Sequence, residues 1–152
     1  MKGFSALPKP NKKNKKNKKN VLSINEAVKK AYILQSKGDL SKSKMIYEIL
    51  LKKNCKHPNF LSNYAILLKN EGEYKNAKSL LTEAIKLYPK NAFNYSNLSL
   101  VFFQELDFKN AIYNIKQALL LEPRNHTFLF NEALFRFKLS EFNTAKSLLL
   151  KV

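Results

Sequence analysis

Pro89 and Pro123 stand 34 residues apart, and that interval recurs along the chain. Ala77, Ala111 and Ala145 form one column at this spacing, and Ala84 and Ala118 form a second. Asn63, Asn97 and Asn131 make a third, and Tyr74, Phe108 and Phe142 an aromatic fourth. A fixed period constrains a fold more than any single motif. Each period is one supersecondary unit that cannot bury its apolar face alone, so copies must stack.

Inside 58–91 the apolar residues recur at the interval of a helix, not of a strand. Leu61, Tyr64, Ala65 and Leu68 share one helical face, and Ala77, Leu80, Leu81, Ala84 and Leu87 share another. Gly72 lies between them, and without a Cβ it can take the left-handed conformation that ends a helix. Each unit is therefore expected to be a helix, a tight turn and a second helix. Asn91 and Asn125 are placed to cap the following helices with their side-chain oxygens. Pro89 and Pro123 close the second helices, because the residue before a proline avoids helical geometry. Pro58 suits a first helical turn, where a missing N–H costs nothing.

These columns resemble the tetratricopeptide repeat (TPR). Unit 58–91 carries Leu61, Tyr64, Ala65, Leu68, Tyr74, Ala77, Leu81, Ala84 and Pro89 where the family pattern asks for them. Unit 92–125 carries Tyr95, Leu98, Ser99, Phe102, Phe108, Ala111, Ile115, Ala118 and Pro123. Unit 126–152 is incomplete. It keeps Leu129, Ala133, Phe142, Ala145 and Leu149, but has Glu132 and Arg136 where large apolar residues belong. Unit 24–57 diverges most. It keeps Ala31, Leu34, Gly38, Leu40 and Tyr47, but sets Ser43 and Leu50 in small-residue columns and Cys55 in place of the proline. The resemblance implies an all-α superhelix of stacked helix-turn-helix units. Helices that pack 8–10 Å apart need short side chains where they cross. Ala65, Ala77, Ala84, Ala111, Ala118, Ala133 and Ala145 are expected at those crossings.

The resemblance also implies where a ligand would lie. In stacked repeats of this family the first helix of each unit lines an inner groove. Carried over, that groove consists of Asn63, Ile66 and Lys69, then Phe93, Asn97, Leu100 and Phe103, then Phe130, Asn131, Leu134 and Phe137. An asparagine has one acceptor and two donors, so a column of them can bond an extended peptide backbone of any sequence. The phenylalanines would supply apolar pockets. A similar asparagine ladder grips peptide backbone in the repeat region of O-GlcNAc transferase. The alternative is that the asparagines bond within their own repeats and that some phenylalanines pack on the neighbouring unit. Chaperone-binding members clamp a C-terminal carboxylate. At those positions this chain has Val28, Tyr32, Asn63, Phe93 and Asn97, or one unit later Ser62, Ile66, Asn97, Thr127 and Asn131. Only one of the five matches in either register, so that clamp is not expected.

Charge divides the chain. The formal charge is +17, from 28 basic and 11 acidic residues. Residues 1–20 hold eight lysines and no acid, and removing them leaves +9 on 21–152. The stretch 11–20 contains no apolar residue and cannot offset the entropy of ordering, so 1–20 is expected to be a disordered basic tail. It offers weak contact with nucleic acid or an anionic surface. The other reading is a solvated, solubilising tail with the codon bias of an AT-rich genome, which 26 Lys against 2 Arg supports.

Enzyme constellations are missing. The only glycines are Gly3, Gly38 and Gly72, so no phosphate loop or nucleophile elbow exists. One cysteine and two histidines exclude an intrachain disulfide and a multi-cysteine zinc site. Cys55 and His57 read as a loop pair with no catalytic role. No apolar run is long enough to span a membrane, and the default compartment is the cytoplasm. Leu148, Leu149 and Leu150 near an uncapped end favour self-association. The expected function is a scaffold without cofactor that binds an extended peptide or partner protein. The alternative is the N-terminal TPR region of a longer bacterial transferase (glycosyl-, sulfo- or methyltransferase).

Overall fold

The structure, a computed structural model, describes residues 23–152. The basic segment 1–20 lies outside the described residues. The described residues form eight α-helices and no strand. They are α1 (Ile24–Ser36), α2 (Leu40–Lys52), α3 (Pro58–Asn70), α4 (Tyr74–Leu87), α5 (Ala92–Gln104), α6 (Phe108–Leu121), α7 (His126–Lys138) and α8 (Phe142–Leu149). Odd helices begin at 24, 58, 92 and 126, and even helices at 40, 74, 108 and 142. The 34-residue interval of the sequence is thus an interval of helix starts.

Every odd helix ends in the same turn. Gly38, Gly72, Leu106 and Ser140 hold φ of 83°, 80°, 61° and 62°. The next residue donates its N–H back into the last helical turn: Asp39 to Leu34, Glu73 to Leu68, Asp107 to Phe102 and Glu141 to Arg136. This closure satisfies carbonyls that the helix end would otherwise orphan. That same residue then caps the even helix. The Asp39 and Asp107 carboxylates accept from the amides of Lys42 and Asn110.

Even helices end in two ways. Tyr88 and Glu122 leave helical backbone at φ −132° and −134°, directly before Pro89 and Pro123. In the first unit Asn54 takes the left-handed conformation at φ 52°, and Cys55 N–H bonds the Leu50 carbonyl. An asparagine turn therefore does the work of the missing proline, and Cys55 tucks into the core.

All seven expected crossing alanines are buried. Ser43, in an alanine column, is fully buried and donates its hydroxyl to the Ala31 carbonyl at 2.8 Å. A small polar group is tolerated there because it has a partner. Each odd helix packs on its own even partner. Consecutive odd helices also touch, α1 with α3, α3 with α5 and α5 with α7, whereas consecutive even helices do not. The odd helices therefore form the inner row of a bent stack, and the even helices form the outer row.

Ion pairs tie successive units together. Lys44 on α2 reaches Glu71 at 2.5 Å and Glu73 at 2.8 Å, and Lys78 on α4 reaches Glu105 at 2.7 Å. One period later these columns hold Ile112 and Leu139, and the motif stops. The last unit has an internal set instead. Arg136 bonds buried Glu132 at 3.2 Å and Glu141 at 2.7 Å. Glu132 and Arg136 are the residues where the unit departs from the repeat pattern.

Candidate binding groove

The inner row carries the side chains that the sequence assigns to a groove. Asn63, Ile66, Lys69, Asn97, Leu100, Phe103 and Leu134 are half-buried along it. Phe93, Phe130 and Phe137 are 54%, 52% and 55% exposed. Asn131 is only 8% exposed, so the asparagine column narrows at the fourth unit.

The phenylalanines play different parts. Phe103 stacks on fully buried Phe135 with ring centroids 4.8 Å apart and meets Phe108 edge-on at 5.7 Å. It therefore fastens α5 to α7 as well as facing the groove. Phe93 meets Phe128 edge-on at 5.3 Å, and Phe137 meets Phe142 at 5.4 Å. Phe130 has no aromatic neighbour among the described residues, which leaves its ring the least committed to packing.

The asparagine amides differ too. Those of Asn97 and Asn131 form no hydrogen bond among the described residues. Asn63 lies beside the Tyr47 hydroxyl, which donates to Gln35 Oε1 at 3.0 Å. Tyr47 is fully buried against Phe60 and Tyr64, and this burial pushes its phenol up to about 12.

The first unit adds a part that the sequence analysis did not assign. A cavity of about 520 Å³ opens between α1 and α3, lined by Asn25, Lys29, Tyr32, His57, Asn59 and Asn63 among others. Asn25, Lys29 and Tyr32 occur one period before Asn59, Asn63 and Ile66, so the columns were present to be read. The substitutions Ser43, Leu50 and Cys55 mask the unit. His57 faces this cavity, and its Nδ1 is buried without a hydrogen-bond partner. Cys55 points into the core instead, so the two residues do not share a site.

Electrostatics set the inner row apart. Lys44 on the outer row is held above the usual lysine range, chiefly by hydrogen bonds to Glu71 and Glu73. Lys69 on the inner row is pulled below it, by burial alone. Among the described residues no cluster of His, Cys, Asp and Glu could hold a metal, and no helix is long and apolar enough to cross a membrane.

Residues 29–91 match the family described as YpiA-like, C-terminal tetratricopeptide repeats. Helix pairs set at a 34-residue interval continue the same architecture through the remaining described residues. Residues 29–91 thus resemble tetratricopeptide repeats, and the described helices as a whole share the TPR fold. Several solved structures share the fold of this TPR array. MamA from Desulfovibrio magneticus superposes with a TM-score of 0.76 at 18% identity, over 84% of this chain and 72% of that one. PilF from Pseudomonas aeruginosa gives 0.71 at 22%, over 81% of this chain and 56% of that one. The O-GlcNAc transferase of Thermobaculum terrenum gives 0.68 at 24%, over 72% of this chain but only 21% of the enzyme. Such identities establish a shared TPR fold and nothing of the reaction or partner. No curated protein matches the sequence.

Proposed function

We propose that this TPR array is a non-enzymatic scaffold that holds an extended segment of a partner protein along its inner row. The reading rests on one observation. Three phenylalanines, each more than half exposed, lie on the same row of helices as the unbonded amide of Asn97. Apolar area removed from water is worth roughly 25 cal/mol per Å², so aromatic rings left open on an inner face favour a ligand that covers them. An amide without an internal partner supplies the polar half of such a contact. A groove of this kind gains its specificity from a few anchor side chains and its affinity from backbone bonds.

The test is a peptide selected from a displayed random library and measured by fluorescence polarisation. Asn97→Ala combined with Phe130→Ala should weaken it at least tenfold with an unchanged circular dichroism melt. Phe130 is preferred to Phe103 because Phe103 also packs on Phe135. Equal binding by the double variant would remove the groove assignment.

The same reading places the protein in the cytoplasm, where a free thiol such as Cys55 persists. It gives the lysine-rich segment 1–20 a weak contact with anionic surfaces, which deletion of 1–20 should abolish. It gives exposed Leu149 and Leu150 a contact between copies. Sedimentation of Leu150→Asp tests this, and an association unchanged from the wild type would exclude it.

A further inference from the structure

We infer that the groove selects an acidic peptide, with Lys69 pairing a ligand carboxylate and the exposed phenylalanines taking the apolar side chains beside it. The inference rests on the peptide-binding reading above and names the class of ligand. Its basis is where the charges lie. The inward columns are 25, 28, 29, 32 and 35 in the first unit and their repeats at intervals of 34. They contain Lys29 and Lys69 and not one of the chain's 11 acids. The acids stand at the turns, on the outer row and within the last unit. Seven of the eleven are in ion pairs: Lys42 with Asp39, Lys44 with Glu71 and Glu73, Lys56 with Glu83, Lys78 with Glu105, and Arg136 with Glu132 and Glu141.

Lys69 has no such match. It is half-buried mid-groove, in the column that elsewhere holds Gln35, Phe103 and Phe137, and no acid approaches within 4.0 Å among the described residues. Burial without a partner disfavours its charged form. An arriving carboxylate restores that charge, and in a partly desolvated groove the attraction exceeds that of an exposed pair. A neutral ligand gains nothing from Lys69 and leaves the ammonium stranded. A nucleic-acid strand fits less well. Its phosphates need a run of cations, whereas Ile66, Leu100 and Leu134 occupy the column between the asparagines and the phenylalanines.

The experiment uses the full chain and two fluorescein-labelled decapeptides, one alternating Asp with Phe and the other Asn with Phe, at physiological salt. The Asp peptide should bind at least tenfold tighter. Lys69→Met should abolish that preference while leaving the thermal melt unchanged. Lys69→Arg and the outer-row control Lys116→Met should both retain it. Equal affinity of the wild type for both peptides overturns the inference while leaving the groove itself standing. A preference that survives Lys69→Met also overturns it. Binding of neither peptide removes the groove and the inference together. Tighter binding of an oligo(dT) 15-mer than of the Asp peptide replaces a peptide with a nucleic acid.

Discussion

Leu106 stands one period after Gly72, and both hold left-handed backbone, at φ 61° and 80°. The glycine takes this conformation without steric cost. A leucine pays roughly 1–2 kcal/mol for it, and Leu106 lies exposed with little packing in return. Leu106→Gly should therefore stabilise the array by about 1 kcal/mol. A thermal midpoint raised by a few degrees would show it, and a lowered midpoint would mean that the exposed side chain packs usefully. The converse, Gly72→Ala, should destabilise by a similar amount although nothing lies within 4 Å of the added Cβ.

The bridges between units should respond to salt. Lys78 reaches Glu105 and also lies 5.3 Å from the centre of the Phe102 ring. Both groups of the ion pair are about one-third exposed, so the bridge is worth about 0.5 kcal/mol. Lys78→Met should lower stability by about that much in dilute buffer, and the difference should shrink at roughly molar salt, where the screening length is about 3 Å. A salt-independent difference would point to the aliphatic stem rather than the charge.

Alkaline pH should loosen the junction of the first two units. Tyr47 is buried and its phenol is pushed up to about 12, whereas an unfolded tyrosine titrates near 10. The folded state thus binds more protons than the unfolded state between those values. Its contribution is intact below about 10 and is lost as pH rises toward 12. Burial raises Tyr64 in the same sense. Tyr47→Phe forfeits the bond to Gln35, costing about 1 kcal/mol at neutral pH. It should also flatten the decline in urea midpoint on the alkaline side. If wild type and variant fall in parallel, lysine deprotonation is responsible instead.

Ala111 has no exposed surface where α6 crosses its neighbours. Ala111→Trp should overpack that crossing and cost about 1–3 kcal/mol or more. An unchanged melting midpoint would contradict the close approach of the helices there.

The helical architecture was legible because period and hydrophobic spacing act locally. Gly72, Pro58, Asn91 and Asn125 each announce a helix end through their own backbone chemistry. Leu106 and Ser140 adopt the same turn without any sequence signal, because the stacked helices on either side impose it. The cavity beside Lys29 was hidden by a first unit that replaces alanine with Ser43 and proline with Cys55. Each substitution is resolved by a hydrogen bond, from Ser43 to Ala31 and from Cys55 to Leu50, which only coordinates display. The Lys44 and Lys78 bridges join residues 27 apart, a separation with no meaning until the helices are stacked. Burial of Asn131 beside exposed Phe130 likewise depends on how α7 is rotated.

The backbones of neighbouring even helices do not pack directly on one another, and along the outer edge the units are joined by ion pairs such as Lys44–Glu73 and Lys78–Glu105. The stack can hinge about its inner spine as a folding fan does, opening or tightening its curvature while every helix stays intact. Guests of different girth would then be met by a change of overall curvature, visible in small-angle scattering as a shifted radius of gyration at constant helix content.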